Sequence, residues 1–161
     1  MSLVLENLKE SMQSKKFKRD LERGHRAEDK AVELLKSEYP SIRAIYKSND
    51  QVFKSYDLID DTGYTFEVKG EIKSKETGNI VIEWECRGKP SGITSTKADE
   101  WFHMYYLEGN WVYTRCSVTD LRYYIAWKQP KSIRGGDENE SQMYLIEARK
   151  FSKDLGSTAF L

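Results

Sequence analysis

Residues 57–69 read DLIDDTGYTFEVK. Asp60-Asp61-Thr62-Gly63 is a strong turn signal between two apolar runs. After it, Tyr64, Phe66 and Val68 alternate with Thr65, Glu67 and Lys69, the period of a strand. A three-residue loop with Gly63 in the left-handed position sets Asp60 across from Tyr64 and Asp57 across from Glu67. Directly opposed residues have Cβ atoms ~5 Å apart, where like charges destabilise a sheet. Lys69, two residues past Glu67, shares its face. Two carboxylates and a lysine therefore converge on one patch of a largely apolar hairpin. A divalent cation offsets such repulsion, and Mg²⁺ favours sites of one or two carboxylates with water and phosphate.

Upstream, Phe17 to Glu38 is helical in pattern. Ala27, Ala31, Leu34 and Leu35 recur at spacings of three and four, and Tyr39-Pro40 ends the run. Glu28 lies on or beside that apolar stripe, a costly place for an acid unless it is paired or near a metal. Gly24, one turn earlier, permits close approach to a neighbour. Between helix and hairpin, Ile42 to Tyr46 and Phe53 to Ile59 read as strands. Downstream, Asn79 to Cys86 is a strand and residues 88–92 a loop. Thr94-Ser95-Thr96 offers N-caps for a helix to about Tyr106. Trp111 to Arg115 is a strand, and Ser117 with Asp120 opens a helix to about Trp127. Arg134 to Ser141 is the least ordered internal stretch, and Met143 to Ala148 a last strand. The expectation is an α/β (α+β) domain with a central mixed sheet of about five strands flanked by helices.

The length of 161 residues fits one domain over 1–161, with residues 1–13 as a flexible lead. Aromatic residues make up 12%, which argues against disorder. No apolar run approaches the ~20 residues of a membrane span, and the start lacks a secretory pattern. Cys86 and Cys116 form no CxxC pair. Together these predict a cytoplasmic protein with no membrane partner. Twenty-six Lys and Arg balance 26 Asp and Glu, which argues against a nucleic-acid binder held by bulk charge. The balance is uneven along the chain. Lys15, Lys16, Lys18, Arg19, Arg23 and Arg26 gather in one basic run, and Lys128, Lys131 and Arg134 in another.

A helix with Glu28, a strand with Asp57, a tight turn, then Glu67-Val68-Lys69 resembles the PD-(D/E)XK nuclease superfamily. Residues 85–99, ECRGKPSGITSTKAD, look like phage and resolvase-type members, in which a Ser-Gly loop leads into a second helix. The likeness covers roughly Arg23 to Tyr106, and Ser55-Tyr56-Asp57 stands where the superfamily's name has Pro-Asp. It implies a restriction-endonuclease-like core and Mg²⁺-dependent hydrolysis of DNA phosphodiester bonds, with Mn²⁺ as a substitute. Asp57 and Glu67 would hold the metal with the Val68 carbonyl, Glu28 would complete the site, and Lys69 would position the attacking water. A resolvase-type member would cut branched DNA as a homodimer; an RNA substrate is equally compatible.

Each signal also has a plainer meaning. Glu-x-Lys recurs at Glu28-Asp29-Lys30 and Glu71-Ile72-Lys73, so one copy carries little. Lys97 either meets a phosphate at the second helix or is an exposed lysine. His25 and Arg26 either touch the scissile strand or start a solvated helix. His103 reads as a packing or surface residue on its helix, and Trp101, Tyr105 and Tyr106 as core. Glu83 and Glu85 share a strand face at or near the rim of the site. The alternative to an enzyme is a non-enzymatic nucleic-acid- or protein-binding module on the same fold.

Overall fold

Gly63 adopts φ 88°, the left-handed geometry that the loop requires. Its N–H donates to the Asp60 carbonyl at 3.2 Å, and the Asp60 N–H donates to the Tyr64 carbonyl at 2.9 Å. The Asp60 carboxylate closes the turn by accepting from the Thr62 hydroxyl, the Thr62 N–H and the Tyr64 N–H. Leu58 then pairs with Phe66 and Ile59 with Thr65, the expected register. One detail differs. The Asp57 N–H donates to the Phe66 carbonyl at 2.8 Å, so the ladder turns irregular before Asp57 can face Glu67 squarely.

This hairpin belongs to a computed structural model that describes residues 2–22, 27–40, 45–47 and 55–161. Gly24, His25, Arg26, Ile42 to Ala44 and Phe53 lie outside the described residues. Helices α1 (Ser2–Glu22) and α2 (Ala27–Glu38) precede strands β1 (Ile45–Lys47), β2 (Leu58–Asp60) and β3 (Thr65–Gly70). Then come α3 (Ser74–Thr77), β4 (Asn79–Cys86), β5 (Lys89–Pro90) and a 3₁₀ turn over Gly92–Thr94. Strands β6 (Glu100–Leu107) and β7 (Asn110–Ser117), helix α4 (Val118–Lys128) and strand β8 (Lys131–Gly135) follow. A 3₁₀ turn over Asp137–Asn139, β9 (Ser141–Glu147), α5 (Ala148–Leu155) and β10 (Thr158–Ala159) end the chain.

The chain is mixed α/β, as expected, but its strands divide into two sheets. The larger runs β1-β2-β3-β6-β7-β10, and only the central β3–β6 pair is parallel. The smaller, β5-β4-β9-β8, is antiparallel throughout. The helix expected to reach Tyr106 is instead β6. Ala98, Trp101, Phe102 and Tyr105 are spaced as on a helix face, yet Trp101 through Tyr105 are all buried. A run hidden on both faces suits a central strand next to a parallel partner, and its aromatic content favours that state. His103 therefore sits on a strand. The stretch after Arg134 is a β8–β9 hairpin, and α5, which carries no side-chain cap, follows the last expected strand without a loop.

Each face of the larger sheet covers its own core. On one face, Leu58, Phe66, Val68, Phe102 and Met104 meet Ala31 and Leu35 of α2 and Phe17 of α1. On the other, Trp101 and Tyr105 meet Ile80, Ile82 and Ile146 of the smaller sheet, Leu121 of α4 and Phe151 of α5. Phe17 fixes α1 through edge contacts to Trp111 and Phe160, with centroids 4.8 and 5.3 Å away. Residues 2–13 of α1, expected as a flexible lead, are helical and all exposed. Among the described residues no helix is long and apolar enough to cross a membrane.

Candidate active site

Strand alternation sends Phe66 and Val68 to the α2 side of β3 and leaves Glu67 and Lys69 on the opposite face. There the Lys69 Nζ lies 3.1 Å from Glu67 Oε1. The Thr96 hydroxyl donates to Glu67 Oε2 at 3.3 Å and is also 3.5 Å from the Ser55 carbonyl. Asp57 is buried, and its Oδ2 accepts the Val68 N–H at 2.7 Å, between Glu67 and Lys69 in the chain. The N–H and C=O of one strand residue leave on the same edge, so the Val68 carbonyl also points past the end of β2, on the side of Asp57. Burial pushes the Glu67 carboxyl above its usual range and the Asp57 charge adds to this, while Lys69 and Thr96 oppose it only in part.

The supports of this patch run into β6. The register sets Glu67 beside Trp101 and Lys69 beside His103, and the Lys69 Nζ lies 5.7 Å from the Trp101 ring centroid. The Trp101 indole N–H donates to His103 Nδ1 at 3.0 Å. With Nδ1 accepting, the imidazole carries its proton on Nε2, which is 3.1 Å from Glu71 Oε1. The same Glu71 oxygen takes the Val81 N–H at 3.0 Å, so one carboxylate ties β4 to the end of β3.

The structure thus brings Asp57, Glu67 and Lys69 together, with the Val68 backbone between them. Glu28 occupies the first turn of α2, which packs through Ala31 and Leu35 against the other face of β3. Among the described residues no group of three or more His, Cys, Asp or Glu side chains is placed to hold a metal ion. The oxygens at Asp57, Glu67 and Val68 are nevertheless hard donors of the kind Mg²⁺ takes. Glu67 keeps acceptor capacity on both oxygens beyond its bonds to Lys69 and Thr96, and its raised pKa marks a charge that a cation would relieve. By donor chemistry the set suits Mg²⁺, with three protein oxygens and room for water.

Two expectations change. Lys97 does not open a helix: it is exposed in the segment before β6, and its N–H donates to the Ser55 carbonyl at 3.2 Å. The N–H groups of Thr94, Ser95 and Thr96 are consumed by the carbonyls of Ser91 and Gly92, so no helix N-terminus awaits an anion there. Glu83 and Glu85 lose their shared face, because the β4–β9 ladder slips between them. Glu83 takes the hydroxyls of Ser91 and Ser141 instead. Arg26 lies outside the described residues.

Thr96 is the contact that sequence reasoning missed. Its loop is held by Arg122, whose Nε and Nη2 donate to the Ile93 and Thr96 carbonyls at 3.0 Å each. Gly92 locks the loop's other end: at φ 55° a Cβ there would lie 2.2 Å from the Glu83 carbonyl oxygen. The Ser-Gly stretch before Ile93 was the available signal, a dipeptide that marks a tight backbone approach. No protein-family model matches the chain, and no curated protein matches it.

Proposed function

We propose that the chain is a Mg²⁺-dependent endonuclease that hydrolyses DNA phosphodiester bonds, with a structure-selective, resolvase-like preference. The observation that carries this reading is the meeting of Asp57, Glu67 and Lys69 on one hairpin, with Glu67 forced above its usual pKa. Asp57, Glu67 and the Val68 carbonyl would hold the cation. Bound there, Mg²⁺ supplies a water of lowered pKa and charge compensation at the phosphorus centre. Thr96 holds Glu67 in place by its hydroxyl. Lys69, steadied by Glu67 and the Trp101 ring, hydrogen-bonds the attacking water or a phosphate oxygen. The mixed sheet flanked by helices is consistent with a restriction-endonuclease-like core.

The test is nicking of supercoiled plasmid, branched DNA and single-stranded DNA in Mg²⁺ or Mn²⁺. The expected result is cleavage that disappears in EDTA and in Asp57→Ala. Inert protein on all three substrates, or an active Asp57→Ala, overturns the assignment. A second reading, a binding module without catalysis, is favoured by one observation: Lys69 and Thr96 already engage each Glu67 oxygen once, so a cation competes with partners that hold the carboxylate without it. Calorimetric titration with Mg²⁺ separates the two, since an enzyme binds the ion and loses it in Glu67→Ala.

A further inference from the structure

Helix α4 buries Val118, Leu121, Tyr124 and Ile125 and turns the opposite face outward. On that outer face Tyr123 and Trp127 are 72% and 75% exposed, the most exposed aromatic rings among the described residues. They stand four residues apart, one helical turn, so the two rings are neighbours on one surface. Large aromatic rings left in water without cover are uncommon on a folded domain and point to a ligand.

The charge around them says which ligand. Between Leu121 and Gly135 the chain carries Arg122, Lys128, Lys131 and Arg134 and no acid, in a protein whose total charge is zero. The Lys128 Nζ lies 4.3 Å from the Trp127 ring centroid and 3.3 Å from Asp154 of α5. Lys131 and Arg134 follow on the edge strand β8, three positions apart and so on opposite faces of it; both are exposed, and at a sheet edge long side chains of either face reach a strand passing over that edge. Asp120 sits one turn before Tyr123 and closes the face to an anion on that side. Paired, flat, apolar rings beside a run of cations complement a polyanion whose units carry exposed π-faces.

We propose that the outer face of α4 is a stacking platform for unpaired bases of single-stranded DNA. Tyr123 and Trp127 take two successive bases, and Lys128, Lys131 and Arg134 take the phosphates. The same helix supports the candidate site: its Arg122 holds the loop whose Thr96 touches Glu67. The inference deepens the nuclease reading by naming its substrate as DNA with an unpaired stretch.

The experiment measures binding in EDTA, so it stands whether or not the protein cleaves. Fluorescein-labelled oligo(dT) of about 15 nucleotides, a blunt duplex of equal length and an abasic strand are titrated by anisotropy at low and moderate salt. Oligo(dT) is expected to bind most tightly and to quench tryptophan fluorescence, a quench that Trp127→Phe should remove, because Trp101 and Trp111 are 1% exposed, Trp84 is half-buried and Trp127 is open. Trp127→Ala should weaken oligo(dT) by roughly tenfold while Trp127→Phe retains most of the affinity, and neither should change the abasic strand. Lys131→Ala with Arg134→Ala should weaken all three and flatten the salt dependence. Equal affinity for oligo(dT) and abasic strand, or an unchanged Trp127→Ala, overturns the platform. Preference for oligo(U) over oligo(dT) overturns its assignment to DNA. Failure to bind any strand, with Trp127 needed to capture a protein, overturns it in favour of a protein interface.

Discussion

The Asp60 carboxylate accepts three hydrogen bonds from Thr62 and Tyr64 and so writes the register of the hairpin. Burial pushes its carboxyl upward, but the Thr62 and Tyr64 donors outweigh that and hold it below the usual value. A depressed carboxyl stabilises the fold above its unfolded pKa, and that gain is lost as pH falls through the folded one. Asp60→Ala should cost about 1–2 kcal/mol in urea unfolding near pH 7. Asp60→Asn should flatten the loss of stability expected of wild type below about pH 4. The same local chemistry explains why Asp57, Glu67 and Lys69 were legible from sequence: turn residues set the register, and register sets which side chains meet. Thr96 was not legible. It reaches Glu67 across 29 positions, through a loop whose path depends on Gly92 and Arg122.

Strand β6 carries the same lesson at the level of an element. Its apolar residues satisfy a helical spacing and a buried strand equally well, and local caps tilt the choice the wrong way. What decides is β3, which offers a parallel partner from Phe66 to Gly70. Within β6, His103 joins the strand's indole to the Glu71 carboxylate and thereby to β4. His103→Ala should leave the Trp101 N–H without its partner and a cavity in the wall between the sheets. The expected loss is about 2–4 kcal/mol, read as a lowered urea midpoint with an unchanged slope. The shorter α5 escaped notice because it begins directly at the end of β9 and has no side-chain N-cap.

Across the whole molecule, the α/β class followed from alternating patterns along the chain, whereas the division into two sheets did not. The β4–β9 pairing joins Asn79 to Glu147 and Cys86 to Ser141, and no local signal names a partner so distant. The layer outside β3 depends on how α1 and α2 dock. Removing residues 2–13 should leave the melting temperature nearly unchanged, because those residues are exposed throughout. Phe17→Ala should cost about 3 kcal/mol, because it strips an aromatic anchor from Trp111 and Phe160. Calorimetric scans of both variants check this contrast. The Phe17–Phe160 contact also bears on how the protein is made. A ribosome adding ~5–20 residues per second needs on the order of ten seconds to pass from one ring to the other. For all of that interval at least part of the Phe17 socket is unsynthesised, and once α1 has emerged its exposed leucines are open to chaperones. Complete docking of this helix is therefore a late event in biosynthesis, and a nascent chain halted before Phe160 would hold it in an unfinished socket.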